Sequence, residues 1–386
     1  MYRRTPQPPA NQSFFLFGPR GTGKTAWLAA ALPGALVFDL LDPRVYARLS
    51  ADPGRLREDI PPGHADWVVL DEVQRAPGLL HEVHRLLELR GLKFALTGSS
   101  ARTLRRKGVN LLAGRALTQR MHPLTAGELG ADFALQTALA RGLLPFACTT
   151  ATPDAYLASY VATYLREEVL QEGLTRNLAA FGRFLEAASF SQGSLLNMAA
   201  VARECAVSAK TVEDYFSILE DLLLAVRLPV FSRRARRRMV GHAKFYFFDA
   251  GVFGALRPRG PLDSPQDAQG PALETLVLQH LRAWNDYHNL GYALYFWRTA
   301  TGDEVDFVLY GRHGLVAIEV KRGAQVRSAD TVGLRRFGHD FAEAQLVLLY
   351  GGAEQTTEAL IAVWPVEAAL RAPERWLPGM AQAIAD

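Results

Sequence analysis

The chain has 386 residues, 49% hydrophobic and 21% charged, with a net charge of +4. That length exceeds one ordinary core and predicts two or three domains, while so mild a charge neither demands nor excludes nucleic acid. Cys148 and Cys205 alone cannot build a disulfide framework or a zinc site and fit a reducing cytoplasm; residues 1–4 lack the apolar core of a signal peptide, and no run approaches the ~20 apolar residues of a membrane helix, so no membrane partner is expected.

Residues 13–17, Ser-Phe-Phe-Leu-Phe, read as a buried strand, and residues 26–32 read as a helix closed by Pro33-Gly34. Between them stands Gly18-Pro19-Arg20-Gly21-Thr22-Gly23-Lys24-Thr25, which fits G-x-x-x-x-G-K-[ST], the phosphate-binding loop of P-loop nucleotidases. The glycines let successive backbone N–H groups turn inward around an anion, and the helix dipole favours negative charge there. Lys24 can reach the β- and γ-phosphates of ATP, and the Thr25 hydroxyl can hold Mg²⁺.

Residues 66–72 are a short apolar run ending in two acids, the pattern of a buried parallel strand with a ligand outside its carboxyl end. Asp71 suits the Walker B role on Mg²⁺, and Glu72 suits the base that orients the attacking water. Taken alone, the segment also reads as an apolar strand ending in an acidic turn. Residues 93–100 form a further strand with small polar residues at its end. There Thr97 or Ser99 is a candidate γ-phosphate sensor, or the segment is a plain strand-to-turn junction. Arg102, Arg105, Arg106 and Lys107 follow, then Arg115 behind an Ala-Gly step. A ring ATPase needs an arginine at its neighbour's γ-phosphate, and Arg115 is the first choice for that finger; the alternative is a solvated basic face.

The alternation of strands and helices over 13–130 predicts a parallel α/β sheet, and the helical pattern from 135 to 177 suggests a small lid. Residues 197–206 and 211–224 read as a helix-turn-helix with Ser208 as N-cap, which makes a winged-helix unit the natural reading. Its second helix carries Glu213, Asp214, Glu220 and Asp221, a poor surface for phosphates. The wing, 227–244, has no acid and includes Arg233, Arg234, Arg236, Arg237 and Arg238, which could grip DNA phosphates or form a solvated charge run. A strand over 244–249 and a linker or long loop over 258–271 come next.

Glu274 opens a helix over 273–284. Asp306 lies in the segment 302–309, and residues 316–321 supply Glu319 and Lys321 on one face of a strand. An acid on one strand followed by Glu-x-Lys on the next resembles the layout of PD-(D/E)xK nucleases. In that chemistry Asp306 and Glu319 bind Mg²⁺, Lys321 activates or stabilises the nucleophile, and Glu274 approaches from the helix. The alternative is a nuclease fold kept for binding DNA or protein.

Together, Phe-Gly-Pro-Arg-Gly-Thr-Gly-Lys-Thr (17–25), Val-Leu-Asp-Glu-Val-Gln (69–74), Leu-Thr-Gly-Ser-Ser (96–100) and Leu-Ala-Gly-Arg (112–115) resemble prokaryotic AAA-type P-loop ATPases with a C-terminal nuclease-like domain, the AAA_14/DUF4143 type. The motifs at 38–43, 123–129, 160–169 and 173–177 continue the resemblance in order along the chain. The implied fold class is α/β: a P-loop parallel-sheet ATPase core (1–130), a helical lid (131–185), a winged-helix unit with a basic wing (186–256) and a C-terminal α/β PD-(D/E)xK nuclease-like domain (257–386). The resemblance implies ATP and Mg²⁺ as cofactors, branched or structured DNA as a partner, and a homo-oligomer, with a hexameric ring as the candidate form. Two functions stay open: a DNA-acting motor, helicase or repair ATPase, and an ATP-controlled regulatory or defence switch whose C-terminal module binds a protein.

Overall fold

The computed structural model describes residues 2–100, 112–164, 177–233, 237–258, 260 and 265–385. The chain divides into two compact units. One comprises residues 3–122 with 221–224, and the other comprises Tyr2, 123–220 and 225–386.

In the first unit, β1 (Ser13–Phe17), β2 (Leu36–Asp39), β3 (Trp67–Asp71), β4 (Lys93–Gly98) and β5 (Ala116–Arg120) form one sheet in the order β2-β3-β4-β1-β5. Every pairing in it is parallel. The two-residue period of a strand divides β1 between two cores. Phe15 and Phe17 join Phe38, Leu70 and Leu96 on one face. Phe14 and Leu16 join Trp27, Leu28, Val69 and Ala95 on the other. Burial on both faces explains why these strands read as unbroken apolar runs. The order sets β4 between β1 and β3, so three strand ends that carry polar residues lie side by side.

The segment 38–43 has a mechanical role. Asp39 turns the chain by accepting Leu41 N–H at 2.8 Å, and Asp42 caps the helix Pro43–Ala51 by accepting Arg44 N–H at 2.7 Å.

In the second unit, the helices Leu178–Ser189, Met198–Cys205 and Ala209–Asp221 are followed or interleaved by β6 (Ser194–Leu195), β7 (Ala225–Leu228) and β8 (Lys244–Phe247). These strands form an antiparallel sheet in the order β6-β8-β7. Ser208 accepts Thr211 N–H at 3.1 Å at the head of the third helix. Buried Val212, Tyr215, Phe216 and Leu219 face inward, and the Phe216 ring lies 4.9 Å from that of Phe245 on β8.

The same unit holds a six-stranded mixed sheet: β9 (Ala293–Arg298), β10 (Glu304–Gly311), β11 (Gly314–Lys321), β12 (Gln345–Tyr350), β13 (Thr356–Glu358) and β14 (Ile361–Pro365), in the order β13-β14-β12-β11-β10-β9. The helix Pro265–Tyr287 covers one face, where Leu276, Val277 and Leu281 meet Phe307, Leu309, Val316 and Ile318. The helix Val332–Asp340 covers the other, with Leu334 and Phe337 against Val305, Val308 and Ala317.

Two expectations shift here. Phe133, Ala138 and Leu143, from the stretch read as an ATPase lid, share a core with Leu276, Trp284 and Leu370. Their apolar stripe is therefore satisfied within the second unit. The linker expected over 258–271 is also cut short, because the helix starts at Pro265, where a missing N–H costs nothing, and runs on through Pro271. No helix among the described residues is long and apolar enough to cross a membrane.

Candidate nucleotide site and C-terminal charge cluster

The P-loop follows β1 and ends on the helix Lys24–Ala31. Gly23 enters that helix at φ 88°, a left-handed conformation that glycine adopts without strain. A side chain on Gly18 would meet the Met121 carbonyl oxygen at 2.4 Å, so only glycine fits. Lys24 is buried and folded into the loop, with Nζ 2.7 Å from the Gly18 carbonyl oxygen. Thr22 closes the turn by donating from Oγ1 to the Pro19 carbonyl at 2.7 Å, and Arg20 is exposed. From the N-terminal segment, Arg4 braces the loop by donating to the Thr22 carbonyl at 2.6 Å and to the His122 carbonyl at 2.7 Å.

Thr25 donates from Oγ1 to Asp71 Oδ2 at 2.7 Å, joining the head of the helix to the end of β3. The other carboxylate oxygen of Asp71 accepts from the Thr97 hydroxyl. Thr97 Oγ1 in turn receives the Glu72 N–H at 3.0 Å. Glu72 itself has φ 61°, a left-handed conformation that is uncommon outside glycine and recurs at functional sites. Gln74 bridges from Nε2 to Glu72 Oε2 at 2.5 Å and to Ser99 Oγ at 3.2 Å. The sequence reading placed Thr97 and Ser99 near the site but missed Gln74 and Arg4. The glutamine two residues past an Asp-Glu pair was the available signal; Arg4 left none. Arg115 is ion-paired to Glu88 and keeps 44% of its side chain exposed. A lysine buried in the loop, and a hydroxyl in contact with a carboxylate at the helix head, suit a phosphate group and Mg²⁺.

In the second unit, β8 alternates. Phe245 and Phe247 pack together at 5.0 Å, and Lys244 and Tyr246 take the other parity. Lys244 Nζ lies 2.6 Å from Glu304 Oε1, 3.0 Å from Asp306 Oδ1 and 3.4 Å from Glu274 Oε2. Tyr246 donates to Glu274 Oε2 at 2.6 Å. Asp306 sits where the register of β10 against β9 shifts between Val305 and Val308, a bulge that re-aims side chains. Its second oxygen accepts the Val320 N–H at 3.0 Å. On β11, Lys321 donates to Glu319 Oε1 at 2.5 Å, while Glu319 Oε2 is buried without a partner.

Burial, with the nearby Asp306 charge second, raises the Glu274 carboxyl to about 7 and the Glu319 carboxyl to about 8. Burial alone would lower the Lys244 ammonium; Tyr246, Asp306, Glu274 and Glu304 overcome it and hold that pKa well above the ordinary lysine value.

The structure thus brings Glu274 and Asp306 together through Lys244, with the Glu319–Lys321 pair electrostatically next to Asp306. The metal expected on Asp306 and Glu319 does not fit this arrangement. Both Asp306 oxygens are engaged, and Lys321 holds one oxygen of Glu319. Among the described residues, no group of three or more His, Cys, Asp or Glu side chains is arranged to hold a metal ion. Lys244, Tyr246 and Glu304 were absent from the expected set. Their signal was a lysine heading a strand otherwise all aromatic.

In the basic segment some cations pair with acids and others face solvent. Arg227 pairs with Glu220 at 2.6 Å and with Glu213. Arg237 pairs with Asp340 at 2.7 Å. Phe231 donates its N–H to the Phe296 carbonyl at 2.7 Å on β9, and Ala300, in the turn after β9, donates to the Arg238 carbonyl at 2.8 Å. The Arg233 guanidinium stacks 5.0 Å over the Tyr310 ring. Arg233 and Arg238 are exposed. Arg234 and Arg236 lie outside the described residues, as do Arg102, Arg105, Arg106 and Lys107.

Residues 10–130 match the family model described as an AAA domain. Residues 132–263 and 269–369 match two domains of unknown function, DUF8612 and DUF4143. With the parallel five-stranded sheet, these matches give the chain an AAA-type ATPase architecture, and the AAA match supports ATPase activity in general. An AAA ATPase domain implies nucleotide binding, usually with Mg²⁺. No curated protein matches the chain. Among solved structures, the Orc1 protein of Aeropyrum pernix in complex with DNA is 16% identical, with 64% of this chain and 86% of that one covered at a TM-score of 0.26. Can2 from Sulfobacillus thermosulfidooxidans in complex with cyclic tetra-adenylate is 12% identical over 94% and 99%, at 0.24. Protein VC1899 from Vibrio cholerae is 12% identical over 96% and 98%, at 0.23. Likeness at these TM-scores says nothing of what this chain binds.

Proposed function

We propose that the protein hydrolyses ATP in its N-terminal unit and uses the cycle to control what its C-terminal unit binds. The contact of Thr25 Oγ1 with Asp71 Oδ2 at 2.7 Å, beside a lysine buried in the loop, carries the reading. Backbone N–H groups of residues 18–25 and Lys24 hold the phosphates, and Thr25 and Asp71 hold Mg²⁺. Bound Mg²⁺ supplies neutralisation of phosphate charge. Glu72 orients the attacking water and draws its proton. Thr97 and Ser99 fix Asp71 and Gln74 behind it. Arg115, exposed at a turn, completes the γ-phosphate site of a neighbour in a homo-oligomeric ring, for which a hexamer is the proposed size.

The geometry favours the regulatory or defence switch as the output. Arg227, Arg237 and Lys244, three cations of the basic segment, are already paired with acids of their own unit. Glu213 and Asp214 are exposed on the helix that a winged-helix unit would present to DNA. A protein bound by the C-terminal module is then the partner. A specific observation supports the second reading, an ATPase acting on branched or structured DNA. The order of helices and strands from Leu178 to Phe247, with sheet order β6-β8-β7, suits a winged-helix unit, and Arg233 and Arg238 are exposed beyond it. The domain bounds 1–130, 131–185, 186–256 and 257–386 and the PD-(D/E)xK-like character of the last belong to this proposal.

The deciding measurement is ATPase rate with no DNA and with single-stranded, duplex and four-way DNA at two salt concentrations. Stimulation that collapses as salt rises supports action on DNA. A rate indifferent to all three supports the switch.

A further inference from the structure

A PD-(D/E)xK layout needs its acids free to take a divalent cation. Here a third strand intervenes. Lys244, from β8 and not from the strand and helix that carry the acids, sets its ammonium among three carboxylates: it is ion-paired to Glu304 at 2.6 Å and donates to Asp306 at 3.0 Å and Glu274 at 3.4 Å. Its side chain is only 3% exposed. Tyr246, two residues on, donates to the same Glu274 oxygen at 2.6 Å, so β8 meets the cluster at two consecutive inward positions. Magnesium demands near-octahedral oxygen ligands at about 2.0–2.1 Å. The ammonium stands among the oxygens such an ion would need, and the remaining Asp306 oxygen is bound to the Val320 N–H.

We propose that the Lys244 ammonium is the resident cation of the Glu274–Glu304–Asp306 cluster and excludes divalent metal from it, so that the C-terminal unit is a binding module and not a metal-dependent hydrolase. β8 is tied on its other face to the aromatic cluster of Phe216, Phe245 and Phe247. The strand that supplies the lysine is therefore anchored independently of the acids. The proposal stands whether or not the N-terminal unit hydrolyses ATP.

The test is Mn²⁺ binding, read by electron paramagnetic resonance, on the full chain without nucleotide and carrying Asp71→Asn to silence the P-loop metal site. The otherwise wild-type protein is expected to show no Mn²⁺ site dependent on Asp306. Lys244→Met is expected to gain one, at least tenfold tighter than any residual binding, and Asp306→Asn should remove it again. A stoichiometric Mn²⁺ site in the protein with Lys244 intact, lost on Asp306→Asn, would overturn the proposal. So would a folded Lys244→Met that gains nothing. If Lys244→Met fails to fold, the Lys244→Met/Asp306→Asn pair decides: recovery of the cooperative melt supports a counter-ion role, and a double variant no better than the single one refutes it.

Discussion

Gln74 holds Glu72: its amide nitrogen lies 2.5 Å from Glu72 Oε2, and the same group reaches Ser99 Oγ at 3.2 Å. The contact holds the carboxylate of Glu72, the left-handed residue that follows β3. Gln74→Ala is expected to lower kcat about tenfold, the equivalent of about 1.4 kcal/mol of transition-state positioning, with ATP affinity nearly unchanged. Gln74→Glu should be worse, because two carboxylates then face each other. Steady-state ATPase assays beside nucleotide binding check this, and an unchanged kcat in both variants removes Gln74 from the machinery.

Lys24→Ala should abolish nucleotide binding or turnover, since it removes the buried ammonium that lies 2.7 Å from the Gly18 carbonyl oxygen. Glu72→Gln should retain ATP and lose turnover by roughly 10²–10⁴-fold, the range for a general base. Normal turnover by Glu72→Gln would mean that another group activates the water.

Arg115→Ala should keep ATP binding and lose turnover. Mixing it with a Lys24→Ala subunit that retains Arg115 should restore part of the rate. The Glu88 partner is exposed and the pair weak, so Glu88→Ala should have little effect on stability. Full turnover by Arg115→Ala at high dilution would count against a ring.

Arg233→Gln with Arg238→Gln tests the basic segment without touching Arg237, which Asp340 holds. If DNA is the partner, affinity should fall and the salt slope should shrink by about two. No change in either, with ATP turnover intact, favours the switch.

Asp249 offers a pH test. It is fully buried and accepts from Leu143 N–H at 2.7 Å, Gly251 N–H at 2.9 Å and Val252 N–H at 3.0 Å. Burial still wins over those bonds and raises its carboxyl from 3.8 to about 6. A raised folded-state pKa means that the proton favours the folded form. The group's contribution is complete below pH 3.8 and is lost as pH rises through about 6. The difference in melting temperature between wild type and Asp249→Asn should therefore change across that window and be flat above it. A constant difference from pH 4 to 7 would show an ordinary aspartate.

Much of the first unit was legible in the residues. The apolar strand at 13–17, the loop and the Asp71-Glu72 ending are local patterns, and both faces of that sheet are buried, so the strands carry their own signature. The second unit was legible in pieces only. Glu274, Asp306, Glu319 and Lys321 stood out by type and spacing. Which of them meet depends on a bulge in β10 and on a strand from another part of the chain. That Arg237 is held by an acid was not legible in the basic run, because its partner Asp340 lies about a hundred positions away in the sequence.

By itself the sequence determined the phosphate-binding loop, the acidic strand end beside it and the α/β character of the chain. Those depend on local periodicity and on backbone geometry that glycine alone allows. Only the tertiary structure decided the charge balance: Arg237 on Asp340 and Lys244 among three carboxylates. The reason is physical. A side chain's charge state and availability are set by what lies within a few ångströms of it, and those neighbours come from anywhere in the chain.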